Sequence, residues 1–466
     1  MGGLFGCVSQ SDCVREVFYG TDYHSHLGTR RAGMAVMNHE DCHRSIHNIE
    51  NDYFRTKFEP DLDRFSGNKG IGVISDTDPQ PLVIGSHLGV FAVATVGRIN
   101  NIDQLAEKAY DSRQFFTETK GFAPNPTEVV AMLISREQSF EDGIRAVQES
   151  IEGSCSFLIL TREGLWAARD KLGRTPLTVG TREGAFCVAS ETCAMPNLGY
   201  VADRHLGPGE AVFITPDSVE TRIAERDEMQ VCSFLWVYYG YPASTYEGIN
   251  VEQVRYRCGS ALARNDHVVP DIVSGIPDSG IGHALGYANE RKIPYMRAFV
   301  KYTPTWPRSF MPQNQKVRDL VARMKLIPVH DLIRDRKVMF CEDSIVRGTQ
   351  LRDTIQEVFR AGAREVHMRP ACPCLLYPCD FLNFSTSQSS MALLGRQAVM
   401  ALEGSLDNID QYAVPGSEKQ KACSEWIADH LGLTSCIYQR LDDLVEAVGL
   451  PRERLCTHCW DNSSHF

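Results

Sequence analysis

Apolar residues follow two regimes along this chain. Up to about residue 230 they come in short runs, Phe91-Ala-Val-Ala, Phe157-Leu-Ile-Leu, Leu165-Trp-Ala-Ala and Ala211-Val-Phe-Ile, punctuated by Gly, Pro, Asn and Asp. Runs of that length between turn formers predict strands. Two stretches, 127–136 and 140–151, have helical spacing instead, so the first half is an α+β region with many strands. From about residue 232 helix and strand alternate: helices over 251–265, 282–290 and 351–361, strands over 271–275 and 338–341. That alternation predicts a parallel sheet with ligands at the C-terminal ends of its strands. Residues 395–430 have helical spacing but no motif, and 417–421 is a charged surface segment. No internal repeat, low-complexity tract or heptad pattern is present.

At 466 residues the chain has room for two or three domains with substantial cores. Its formal charge of −11 argues against nucleic acid or an anionic membrane as the main partner. No segment has the roughly 18 apolar residues that span a bilayer, and Met1-Gly-Gly-Leu-Phe-Gly lacks the basic and apolar regions of a signal peptide, so a cytoplasmic protein is expected. Sixteen cysteines are dispersed through the chain rather than packed into a small secreted framework. Most are expected to be buried apolar residues, with a subset kept for metal.

The richest chemistry lies after the run Val338 to Cys341, which ends in Glu342-Asp343 and continues Ser344-Ile-Val-Arg347-Gly348-Thr349-Gln350. A small-residue loop between a strand end and a helix start presents backbone N–H groups and hydroxyls to a phosphate, and the helix dipole favours its charge. The two acids would repel a phosphate. They make sense facing ribose hydroxyls or a Mg²⁺ ion held beside phosphates. A second loop, Ile276-Pro277-Asp278-Ser279-Gly280-Ile281, also joins an apolar strand to a helix.

These loops resemble the phosphoribosyl pyrophosphate (PRPP) loop and pyrophosphate loop of type I phosphoribosyltransferases. The likeness extends over nearly the whole chain to one family, the glutamine PRPP amidotransferases that open purine synthesis. It is carried also by Lys301, Arg308-Ser-Phe-Met-Pro312, Arg323-Met-Lys325-Leu326, Cys232 to Pro242, Ala167 to Leu177, Ala189 to Ala194 and Pro208-Gly-Glu210. The resemblance implies an N-terminal-nucleophile-hydrolase-like αββα sandwich over 1–230, a glutamine amidotransferase type 2 domain, then a type I phosphoribosyltransferase domain over 231–466. It implies that Ser279, Glu342 and Asp343 surround Mg²⁺, with Glu342 and Asp343 catalytic. Asp278, Ser279, Lys301, Arg308, Lys325, Ser344, Arg347, Gly348 and Thr349 would bind PRPP. Glu342 stands where the family has aspartate, and Gln350 where it has a second threonine. The segment 303–307, Thr-Pro-Thr-Trp-Pro, is stiffer than the family's closing loop.

Cys456-Thr-His-Cys459 is a C-x-x-C pair, which on its own fits zinc, redox chemistry or neither. By resemblance Cys232, Cys379, Cys456 and Cys459 match the four ligands of a [4Fe–4S] cluster, with structural zinc as the weaker alternative. Cys372 and Cys374 form a nearby spare pair. Residues 456–466 carry too little apolar sequence to be anchored by packing, so the cross-link is expected to order them.

The family's glutaminase half opens with a cysteine whose own α-amino group is its base. Here that position is Gly2, in Gly2-Gly3-Leu4-Phe5-Gly6. Cys7 lies further on, inside the strand pattern, and is expected in the core. The His-Arg-Gly-Gln segment reads His26-Leu27-Gly28-Thr29. The segment bearing the carboxylate-gripping arginine is replaced around 72–77. The oxyanion-hole Asn-Gly is Val96-Gly97, and the acid before Thr-Glu-Val is Pro126. The resemblance therefore implies an amidophosphoribosyltransferase-like enzyme using ammonia, free or from a separate glutaminase. The alternatives are a non-catalytic sensor of PRPP or purine nucleotides that regulates a partner, and a phosphoribosyltransferase acting on another amine or base. A homo-oligomer is expected.

Overall fold

The computed structural model describes residues 2–302, 326–382 and 390–463. In the first half two antiparallel sheets lie face to face. The seven-stranded sheet runs in spatial order Val201–His205, Thr178–Arg182, Ala185–Ala189, Gly2–Ser9, Lys69–Ser75, Arg31–Met37, Cys42–Asn48. The six-stranded sheet runs Val219–Ile223, Ala211–Ile214, Leu165–Ala168, Gly153–Leu160, Gly89–Ile99, Leu82–Ser86. Side chains alternate between faces along a strand. Leu4 and Val8 thus join Ile71, Ala92, Leu158 and Leu165 in the core between the sheets, while Phe5 and Cys7 face the helix Val14–Asp22. Helices Pro126–Ser135 and Phe140–Ser150 cover the outer face of the second sheet. The result is the expected αββα sandwich, and Cys7 is a core residue as anticipated.

The second half is built on a parallel sheet ordered Ile272–Gly275, Lys337–Glu342, Glu365–Pro370, Ser435–Cys436. Helices cover both of its faces, so Val338 to Cys341 are all buried. Helices Val251–Arg264 and Gly280–Arg291 pack with their backbones nearly touching: a Cβ on Gly259 or Gly286 would run into the carbonyl of His283 or Tyr256. The segment 395–430 resolves into helices Leu394–Glu403 and Glu418–Leu431. Ser417 accepts from Gln420 N–H at 3.1 Å and caps the second helix, whose first turn carries the charged segment 417–421. Among the described residues no helix is long and apolar enough to cross a membrane.

Candidate active site and cysteine centre

Parallel pairing of Gly275 with Cys341 places two strand ends side by side, so the loops that follow them face each other. Asp343 is buried there, accepting hydrogen bonds from Ser279 Oγ and, at 2.7 Å, from Ser344 Oγ. Burial, the charge of Asp343 and a hydrogen bond with it hold the Glu342 carboxyl well above the usual carboxylate range. The two acids thus share a site that a cation would relieve of its proton. Mg²⁺ uses one or two carboxylates, keeps waters and takes its other ligands from phosphates, a pattern that Ser279, Glu342 and Asp343 suit.

Gly348 has a left-handed φ of +73°, a backbone conformation that favours glycine. It caps the helix Thr349–Arg360, and Arg347 stands exposed beside it. Arg347 and Gly348 line an open polar cavity with Arg352, Asp353, Gln356, Gln397 and His430. Lys301 donates to Asp278, which ties it to the loop 276–281. Arg308, Lys325 and the segment 303–307 lie outside the described residues.

Sequence reasoning missed Arg255. It is buried in helix Val251–Arg264 and donates to the carbonyls of Trp236, Tyr238 and Gly240 at 2.9–3.1 Å, holding the segment after Cys232 beside Asp343. The only signal was its place next to Val254 on the apolar face of that helix.

In the first half, a Cβ on Gly2 would penetrate the Ile74 carbonyl oxygen and sit 3.1 Å from Val96 Cγ1. Asp76, in the stretch that replaces the arginine, accepts from Thr29 N–H at 2.7 Å and puts an acid where a carboxylate-binding cation is expected. Pro126 is the first residue of its helix, capped by Asn125, which accepts from Thr127 N–H at 2.9 Å. Gln80, Thr95 and Thr127 close the space nearby with hydrogen bonds of 2.7–3.5 Å. His24 is fully buried, and burial lowers its pKa to about 4; its Nδ1–H donates to Gly20 O at 2.7 Å while Nε2 accepts from Glu191 N–H. Burial pushes the Glu191 carboxyl up, but the charge and hydrogen bond of His26 and the hydroxyl of Tyr246 at 2.6 Å bring it down to about 2. With Ser244 Oγ at 3.0 Å, this carboxylate binds the two halves together.

Cys232, Cys379, Cys456 and Cys459 are all unbridged and line one small cavity with Arg174, Phe234, Phe381, Leu382 and Trp460. Val231–Cys232 pairs in parallel with Leu455–Cys456, which sets two of the cysteines opposite each other. Leu382 N–H donates to Cys379 Sγ at 3.3 Å. Burial and then the neighbouring thiols push Cys232 up, and a hydrogen bond with Cys379 and burial do so for Cys459. Four sulfurs in that setting suit a cationic centre that deprotonates them. Cys372 and Cys374 sit in the packed core and do not line the cavity. The expectation of a tail too poor in apolar residues to pack is corrected: Trp460 is buried and stacks on Phe234 at 5.0 Å, and Leu376 and Tyr377 N–H groups both donate to Cys459 O at 3.1 Å.

A family model described as a glutamine amidotransferase domain matches residues 69–197. An amidophosphoribosyltransferase of Methanocaldococcus jannaschii is 30% identical over 98% of this chain and 96% of its own length. One from Bacillus subtilis is 31% identical over 84% of this chain and 83% of its own. The solved B. subtilis glutamine PRPP amidotransferase, complexed with ADP and GMP, superposes with a TM-score of 0.86 at 26% identity, covering 99% of this chain and 96% of that one. Similar in sequence and in fold from end to end, the chain belongs to the amidophosphoribosyltransferase family.

Proposed function

We propose that the chain transfers an amine to C1 of PRPP with release of pyrophosphate, forming phosphoribosylamine, and takes its nitrogen as ammonia rather than from glutamine hydrolysed at its own amino terminus. The observation that carries this is a contrast within one molecule: the acid pair and its serines converge at the C-terminal ends of two paired parallel strands, while a side chain at position 2 would run into the Ile74 carbonyl. Ser279, Glu342 and Asp343 would hold Mg²⁺, which would neutralise pyrophosphate as it leaves. Asp278, Ser279, Lys301, Ser344, Arg347, Gly348 and Thr349, with Arg308 and Lys325, would bind PRPP. Exclusion of water and charge neutralisation are what an oxocarbenium-like transition state asks of these residues.

The four cysteines would hold a [4Fe–4S] cluster. Four unbridged thiols lining one cavity support a thiolate-held metal centre, with tetrahedral zinc as the second reading.

The test is pyrophosphate release from PRPP with glutamine, with ammonium and with no acceptor. Release with ammonium alone, abolished in Asp343→Asn along with Mg²⁺-dependent PRPP binding by calorimetry, is the expected result. Equal release with glutamine would sink the ammonia reading. PRPP binding without turnover from any nitrogen source would make the chain a sensor, and no binding at all would remove both.

A further inference from the structure

Three side chains of the amino-terminal half reach the surroundings of the cysteines, though none is itself a ligand for iron. Arg174 is buried, lines the cavity with all four thiols and lies over the Phe381 ring at 3.6 Å. Its backbone carbonyl accepts from Cys232 N–H at 3.3 Å. Arg98 donates to the carbonyl of Cys379 at 3.0 Å and pairs with Asp380 at 3.8 Å, and Asn100 donates to the carbonyl of Asp380 at 2.9 Å. Arg98 belongs to the strand Gly89–Ile99 that also carries Val96, and Asn100 follows that strand directly. A strand that fills the space over Gly2 therefore ends by gripping the loop that bears Cys379.

We propose that the amino-terminal half, with no room for a nucleophile of its own, serves as the outer wall of the four-cysteine centre, Arg174 being its buried counter-charge and Arg98 and Asn100 the clamps on the Cys379 loop. This rests on the reading that the four cysteines bind metal. A cluster held by four thiolates is net negative, and one-electron reduction adds a further negative charge. A guanidinium fixed by stacking beside the sulfurs stabilises the reduced form more than the oxidised form, because Coulomb attraction is strong where water is excluded. The two clamps act on geometry, holding one ligand loop against the three others, so they govern how readily the metal escapes.

The experiment uses the full chain purified without oxygen, as wild type, Arg174→Gln, Arg174→Lys and the double variant Arg98→Ala/Asn100→Ala. Metal per chain, the rate of metal loss to a chelator and a redox titration followed by electron paramagnetic resonance are measured. In Arg174→Gln the reduction equilibrium is expected to shift about tenfold toward the oxidised form, 59 mV for a one-electron couple. Arg174→Lys, which keeps the charge, should stay close to wild type and serves if the glutamine variant does not fold. The double variant should lose metal about tenfold faster. If wild type is loaded and the variants match it in potential and release rate, the wall assignment is wrong and the four-cysteine reading stands. If wild type holds zinc, the release rates alone decide, with Arg174→Gln expected to be faster. Wild type free of iron and zinc would bring down both.

Discussion

Placing a thiol at position 2 is the sharpest test of the proposal that this chain hydrolyses no glutamine at its amino terminus. In Gly2→Cys the new Cβ meets the Ile74 carbonyl oxygen, a backbone atom that no rotamer change removes, with Val96 3.1 Å away on the other side. The strand cannot slide aside easily, because Gly2 to Val8 pair in continuous register with Lys69 to Ser75. Overpacking of this kind costs about 1–3 kcal/mol, so the urea midpoint should fall. A thiol that docked nonetheless would face valine where a side-chain donor stabilises the oxyanion, and that loss alone slows acyl transfer about 10²–10³-fold. Glutamate release from glutamine, with mass spectrometry to confirm that Met1 has been removed, should therefore stay at background. Hydrolysis that develops in Gly2→Cys and vanishes on thiol alkylation, with stability unchanged, would refute the argument from packing.

Acid should weaken the protein in two steps. A histidine with its folded pKa lowered to about 4 stabilises the fold fully above the unfolded value of 6.5, and its contribution fades as pH falls from there toward 4; for His24 this amounts to about 3 kcal/mol, roughly a third to a half of it lost by pH 5.5. Glu191, lowered to about 2, contributes above its unfolded value of 4.5 and is lost between 4.5 and 2, so urea midpoints flat from pH 7 to 4 would contradict the first step and midpoints flat from pH 4.5 to 2 the second. On the proposed reading, Cys459→Ser should lose the brown colour and broad absorption near 400 nm of an iron–sulfur protein, yet keep residues 456–463 protected from protease, because Trp460 is buried against Phe234. Trp460→Ala should cost about 3–5 kcal/mol and expose that tail, as unfolding and proteolysis would show.

What the sequence made legible was local. A strand, a turn of small residues and a helix are consecutive in the chain, so the loops at 276–281 and 342–350 declared themselves, as did the alternation of the second half. Position 2 was legible for the same reason. What stayed hidden depends on partners far away in the chain. Nothing near Arg255 says that it will collect three carbonyls beside Asp343, and nothing near Arg98 or Asn100 points to a loop some 280 positions later. The tail was misjudged because Trp460 was weighed against its own neighbours rather than against Phe234. Ser417 was missed as a cap because the apolar spacing of the helix after it is weak.

The pairing of Val231–Cys232 with Leu455–Cys456 also imposes an order of events on synthesis. Ser233 Oγ donates to Cys456 O across 223 positions, so during translation the cavity lacks two of its sulfurs until residue 459 has left the ribosome. The sandwich, made of residues that emerge first, can fold while the rest is still being made. Cys232 and Cys379 must then wait as reduced, unligated thiols beside a finished domain, and a ribosome stalled late would release a chain whose open seam is sticky and easily oxidised. On the proposed reading, metal can be seated only after residues 231–232, the loop at 379 and residues 455–459 have come together.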